Sequence, residues 1–396
     1  MTFRLGILGG GLQGLEAATL ARLEGWDTVL VDRTAQCPAA HLANLFVGME
    51  VKTLQDLDAV FQDVDLMLPA NEKLQTLELV SKWEVSGNAP PVAFDLASFK
   101  VSRDKLRSKR LFRKLNVPTP KEFDPRAPLF PLIVKPKDKS GSAGVTLINN
   151  QRELSSYLKN ISCDYPGEFL KSYVMEEYLR GPSYSLEVTG RDECYISHTV
   201  TELEMDSVYD CRGVISPAEI SPIKEKAFRD IAIKLAKGVK LKGLMDVEVI
   251  DSASGELQTL EIDARFPSQT PLAVYLSSGV NLLSELAGIF TTVPPSKDIK
   301  ASIAHLFHLE VRRGQMSLVG EHRISKAPPL ELVEDFFGAD LALTDYAKGK
   351  DNFVVTLMFR GDSLGELLYK REEFFARLNR LFTRPKIFFQ SRGASL

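Results

Sequence analysis

Apolar residues recur at period two in several short runs of this chain and at three and four residues in others, so strands and helices interleave along it. FRLGIL, residues 3–8, reads as a strand; Gly9-Gly10-Gly11-Leu12-Gln13-Gly14 and an Ala/Leu-rich helix to about Glu24 follow, and TVLVD ends at Asp32. This is a βαβ beginning. Further strands are predicted at 64–70 and 92–96, with a helix starting at Asn71-Glu72 between them. A helix over about 102–116 turns Leu106, Leu111, Phe112 and Leu115 inward and stops at Val117-Pro118-Thr119-Pro120. Its basic residues read as a solvated face, Lys105 excepted. Later strands are expected at 131–136, 145–148, 172–179, 183–190, 301–310 and 353–359, with a helix at 221–238. Ser363 and Glu366 form a capping box ahead of Leu367, Leu368, Phe374, Phe375, Leu378 and Leu381. The polar tail after Gln390 is expected to fray.

Two segments stand out chemically. LMDVEVI, ending at Ile250, and LEIDARF, ending at Phe266, both alternate apolar with acidic residues and are joined through Ser254-Gly255. A turn centred there pairs Glu248 with Glu261 and Asp246 with Asp263, and puts four carboxylates on one sheet face. Like charges opposed at roughly 5 Å repel. A cation must join them, and an all-oxygen set with room for phosphate oxygens suits Mg2+. Arg265, two residues past Asp263, aims at whatever anion that cation holds. The alternative is an ordinary polar solvent face of an antiparallel sheet.

Composition narrows the rest. A chain of 396 residues, 44% hydrophobic and 26% charged, is a globular protein of two or three domains. Net charge −3 gives no basic field for nucleic acid, and no apolar run of about 18 residues offers a membrane span. Cys37, Cys163, Cys194 and Cys211 are scattered without a C-x-x-C pair, which argues against zinc and against disulfides. A cytoplasmic location is expected, since the amino terminus runs straight into a strand without signal-peptide order. His305 and His308 lie on opposite faces of a strand and read as packing or surface residues.

The glycines after the first strand spell G-x-G-x-x-G, and Asp32 stands near the place of a ribose-binding acid, so an NAD-dependent dehydrogenase is one reading. The physical content is wider: such a turn brings any anionic or amino-acid ligand close to backbone and helix N-terminus. Other segments point to a nucleoside triphosphate. Lys105 and Lys135 carry charge for phosphates, and the loop Lys137–Gly144, with Ser140, Gly141 and Ser142, suits a mobile cover. Glu176, Glu177, Tyr178 and Leu179 form a hinge that offers backbone and carboxylate groups to adenine.

That ordered set resembles the ATP-grasp family of carboxylate-amine ligases over roughly residues 95–290. GGGLQGLEA, PANE, AFDLASFKVSRDKLRSK, LMDVEVI and LEIDARFPSQTP further resemble the branch that joins 3-methyl-D-ornithine to L-lysine in pyrrolysine biosynthesis. The family's usual E-x-N-x-R is here Glu261-x-Asp263-x-Arg265, in agreement with that branch. The resemblance implies an α/β ATP-grasp fold: an N-terminal Rossmann-like domain over 1–95, a central domain with a phosphate lid over 96–184, and a C-terminal domain over 185–396.

It further implies ATP and two Mg2+ ions, with Glu248, Glu261 and Asp263 as metal ligands and Arg265 as the catalytic cation. Lys105, Lys135, Ser140, Gly141, Ser142 and the Glu176–Leu179 hinge would bind the nucleotide. Leu12, Gln13 and Glu72 would meet lysine, and Ser185, Glu187 and Arg265 the ornithine, with Asp246 and Ser268 also in the substrate pocket. Related ligases often pair, which leaves a homodimer open. Two other classes stay open: an ATP-grasp ligase with another amino-acid or purine-precursor substrate, and a catalytically silent nucleotide sensor.

Overall fold

The computed structural model describes residues 2–87, 89–161, 166–294 and 301–381; Cys163 and the tail after Gln390 lie outside them. Three sheets follow one another along the chain. The first is parallel, in the order Leu45–Gly48, Asp27–Asp32, Arg4–Leu8, Leu66–Pro69. The helix Leu12–Leu23 leaves the first strand so tightly that a Cβ on Gly14 would sit 1.9 Å from the Gly9 carbonyl oxygen. Only glycine fits there.

Two boundaries differ from expectation in ways that shape the site. The helix expected from Asn71 starts at Leu74. The Asn71 side chain instead bonds the Leu8 carbonyl and the Lys73 N–H, holding Glu72 on a free turn. The strand expected over 92–96 is a single bridge from Val92 to Met67, because Asp95 caps a helix Leu96–Ser102 by accepting from the Ala97 and Ser98 N–H groups. A second cap, Asp104, then starts the helix Lys105–Lys114. The expected helix over 102–116 is therefore shorter, and its first residue is Lys105.

The second sheet is antiparallel, in the order Thr146–Ile148, Leu132–Pro136, Tyr173–Glu177. The third has eleven strands, and those at one end, Leu257–Asp263, Gly243–Asp251 and Ser183–Arg191, carry the acidic residues. Their Leu186, Met245, Val247 and Ile262 pack into one apolar cluster with Phe228, Ala232 and Leu235 of the helix Pro222–Val239. Strand alternation sends the acidic residues to the opposite face.

Farther along that sheet, His308 is buried and bonded to Thr356 and Gln269, and His305 to Glu204, in keeping with a packing role. The last helix, Leu364–Leu381, buries Leu367, Phe374, Phe375 and Leu378, whereas Leu368 and Leu381 are exposed. The Glu366 N–H donates to Ser363 Oγ, while the Glu366 carboxylate accepts from the Asp362 N–H, one residue before the expected box. Among the described residues no single helix is long and apolar enough to cross a membrane.

Candidate active site

Glu248 pairs with Glu261 and Asp246 with Asp263, as the alternation requires. The turn reaches that register by a different route. Near it the pairs are Val249 with Thr259 and Asp251 with Leu257, one residue out of step, and a bulge at Leu260 restores the alignment. On the other side Ser185 faces Glu248 and Glu187 faces Asp246, so one sheet face presents six polar side chains in two adjoining rows.

Arg265 ties this face to the first sheet. Its Nε lies 2.9 Å from Glu72 Oε1, one Nη 3.3 Å from Asp246 and the other 3.1 Å from Asp263. Glu72 also accepts from Gln13 Nε2 at 2.9 Å and from the Ser140 hydroxyl. Lys105 Nζ pairs with Glu261 at 2.9 Å and donates to the Lys139 carbonyl at 2.7 Å, which moors the 137–144 loop.

Arg265 and Lys105 do not neutralise five carboxylates, and the pKa shifts within the group follow from that imbalance. Burial, reinforced by Glu261, Asp246 and Asp263, pushes Glu248 well above the carboxylate range. Burial does the same to Asp263 and lifts Asp246 to about 7, against the pull of Arg265. Burial also acts on Glu261, but Lys105 and Lys135 outweigh it and hold that carboxyl below its ordinary value. Among the described residues, no three acidic, His or Cys side chains form a ready-made metal cluster, since Glu261 is turned to Lys105 and Asp263 to Arg265.

Three cavities meet at this face. One of 290 Å3 is lined by Lys105, Lys135, Ser142 and the Glu176–Leu179 hinge. One of 80 Å3 lies over the acidic face, with Ser185, Asp246, Glu248, Glu261, Asp263 and Arg265 in its wall. The third, 1180 Å3, reaches from Leu12, Gln13 and Glu72 to Arg265 and Ser268. Ser142, Glu248 and Glu261 are shared by the first two, and Gly141, Arg265 and Ser268 by the last two.

Several sequence-based assignments change. Ser140 and Gly141 line the large cavity, not the one with the hinge: the Ser140 hydroxyl is held by Glu72, and Gly141 lies against His322. The Glu176 carboxylate is not free for adenine. It is buried between Lys135 and Lys109, each 2.5 Å away, and these two overcome burial to hold it at about 2. Lys109 was read as solvated, yet it is buried. Glu187 faces the acidic row but is sealed, 0% exposed and outside all three cavity walls; burial lifts it to about 7. A ligand cannot reach it in this conformation. Asp32 accepts from the Gly10 and Thr34 N–H groups at 2.7 Å each, one on each oxygen, so the side chain braces the Gly-rich turn.

Other site residues were not anticipated. Glu321, on the short helix Glu321–Ile324, accepts from Ser268 Oγ at 2.9 Å and Gln269 Nε2 at 2.7 Å, and burial raises its carboxyl. Beside it, His322 pairs with Asp210. Behind the site, Glu16 is buried and accepts from the Leu272 N–H at 2.7 Å, joining the first helix to the helix Thr270–Ser278; burial lifts its carboxyl to about 8.

Glu16 and Glu187 both hold a proton more tightly folded than unfolded. Their stabilisation is complete below about pH 4.5 and is lost as pH rises through about 7 to 8, at up to about 1.4 kcal/mol per group per pH unit. Thermal melts of the ligand-free protein should therefore fall between pH 6 and pH 8.5. Glu16→Gln, which keeps an acceptor for Leu272, should flatten that slope; an unchanged slope would show that Glu16 stays ionised.

A family model described as an ATP-grasp domain matches residues 102–269. The 3-methyl-D-ornithine–L-lysine ligase of Methanosarcina acetivorans is 34% identical over 92% of this chain and 94% of its own length. That of Methanosarcina barkeri is 37% identical over 72% of this chain and 73% of its own. Among solved structures, N5-carboxyaminoimidazole synthetase from Staphylococcus aureus superposes with a TM-score of 0.68 over 96% of this chain and 98% of its own, at 19% identity. Biotin carboxylase from Campylobacter jejuni gives 0.72 over 95% and 91%, at 14% identity. These two establish the architecture alone. With one acidic face between a hinge-side cavity and a cavity under the Gly-rich turn, and with the 34% identity to the Methanosarcina acetivorans ligase spread over nine-tenths of both sequences, this chain belongs to the 3-methyl-D-ornithine–L-lysine ligase family of ATP-grasp ligases.

Proposed function

We propose that this chain uses ATP to join the carboxylate of 3-methyl-D-ornithine to the ε-amine of L-lysine through an acyl phosphate, in pyrrolysine biosynthesis. The observation that carries the reading is the 80 Å3 chamber connecting the two larger cavities, with Arg265 and surplus carboxylates in its wall. It lies where a phosphoryl group from one side would meet a carboxylate from the other. Glu248, Glu261 and Asp263 fit Mg2+ as hard oxygen donors on a face whose acids outnumber the cations paired with them, and would hold two ions between them. When bound, Mg2+ supplies charge neutralisation to the phosphoryl oxygens.

The protein's own groups do the rest. Lys105 and Lys135 face the triphosphate from the hinge-side cavity, Lys135 held straight by Glu176. Arg265, already oriented by three carboxylates, offers charge to the acyl phosphate and to the oxyanion formed when the amine adds. The 137–144 loop, moored at Lys105 and Glu72, excludes water from an intermediate that hydrolyses readily. Glu72, Asp246 and Glu321 give the pocket the negative surroundings that two diamino acids require.

Each proposed domain carries one of the three sheets, which supports the division at 95 and a second one between Glu177 and Ser183, just ahead of 184, which falls inside the strand Ser183–Arg191. The homodimer common among related ligases belongs to the same proposal, and light scattering in solution tests it.

Incubation with ATP, Mg2+, L-lysine and D-ornithine or its 3-methyl derivative should give the amide by mass spectrometry, one per ADP formed. Phosphate release without a condensed product would overturn the reading. Lys135→Ala should weaken ATP binding at least about tenfold by calorimetry, the loss of one charge-assisted contact. Unchanged affinity would remove Lys135 from the phosphate site.

A further inference from the structure

The proposed reaction contains a step that no residue described so far performs. The ε-ammonium of lysine has a pKa near 10.4, so at neutral pH only about one molecule in a thousand carries the lone pair that attack requires. The acidic groups around the site hold an ammonium in its charged form, which makes the deficit worse. A base facing the large cavity is needed.

We infer that His322, oriented by Asp210, is that base. His322 Nδ1 lies 2.7 Å from Asp210 Oδ1, and the backbone N–H of His322 bonds the other carboxylate oxygen. A carboxylate only accepts, so Nδ1 carries a proton, and in the neutral ring Nε2 is the nitrogen with the lone pair. Nε2 and Cε1 lie beside Gly141 of the phosphate loop, on the wall shared with Glu72, Arg265 and Ser268. Asp210 stands in the wall of the small chamber, on the turn between the strands Thr201–Met205 and Cys211–Ser216. The charged groups that line this cavity with His322 include Glu321 on the same short helix, Glu72 and Arg265, which pair with each other, and the lysines Lys52, Lys73 and Lys82.

The step balances. His322 Nε2 takes one proton from the ε-ammonium, and the imidazolium is stabilised by Asp210. The freed nitrogen lone pair forms the C–N bond at the acyl carbon, the C–O bond to phosphate breaks, and the second nitrogen proton leaves with inorganic phosphate. His322 returns its proton to solvent.

The inference rests on the proposed ligase reaction, and hydroxylamine separates the two. Hydroxylamine is uncharged at neutral pH and traps an acyl phosphate without help from a base. His322→Ala should keep hydroxamate formation from D-ornithine, ATP and Mg2+ within about threefold of the parent, while amide formation with lysine at pH 7.5 falls about a hundredfold. The amide rate of the variant should then climb with pH toward 10, and Asp210→Asn should show the same split in milder form. Equal loss of hydroxamate and amide would make His322 a support for the loop and end the inference. An amide rate unchanged by His322→Ala would end it as well. Absence of both products from the parent protein would instead overturn the ligase reading itself.

Discussion

Glu261→Gln should lower kcat by about a thousandfold or more while shifting the thermal midpoint by only a few degrees. The substitution keeps the shape of the side chain and an acceptor for Lys105, 2.9 Å away, but removes a charge that Lys105 and Lys135 keep ionised throughout the neutral range. Among the acids of the sheet face, Glu261 alone lies below its ordinary pKa, so it is the carboxylate there already in the form that a divalent cation needs. The loss should appear in the first half-reaction, as slower ADP formation with D-ornithine alone, and as weaker Mg2+ dependence. Near-normal turnover would take Glu261 out of the phosphoryl-transfer site.

What the sequence disclosed follows from how local each signal is. The acidic pairs were legible because period-two alternation fixes which face a side chain takes, over two runs only a few residues apart. Even there the register near the turn was out by one, and the bulge at Leu260 hid the error. Glu187 shows the limit of the rule. Alternation gives its face correctly, but not the packing that seals it. Lys109 was misread because a run of seven basic residues does not reveal which one meets Glu176, a partner on a strand of another sheet. Glu321 and His322 carry no signal at all, since a four-residue helix has too few positions for periodicity and its partners Ser268 and Asp210 are far away in sequence. The strands Glu331–Phe336 and Ala339–Thr344 were missed for a related reason: ELVEDF mixes acids onto both faces of a strand near the sheet edge, where little burial enforces a pattern.

Removal of the Arg265 charge should be the most damaging single change, acting on stability and chemistry together. The guanidinium is 13% exposed and answers Glu72, Asp246 and Asp263 at once, so Arg265→Met leaves three acids facing one another in a buried site. Breaking a buried pair from one side costs about 3–5 kcal/mol. The acids can escape part of that cost by taking up protons, since burial already lifts Asp246 to about 7 and Asp263 well above its usual range, and Arg265 is the group pulling both back. Without it their folded pKa values rise further, which adds stability at low pH and loses it as pH rises through those values. The deficit in thermal midpoint should therefore be larger at pH 8 than at pH 6. Amide formation should fall at least about a thousandfold at either pH, because protonating the acids does not restore the cation that the oxyanion needs. Arg265→Lys should recover part of the stability and little of the rate, as one ammonium cannot reach three carboxylates with fixed geometry. A deficit identical at the two pH values would mean that the acidic face is neutralised by some group other than Arg265, and the charge balance on which the proposed chemistry depends would have to be redrawn.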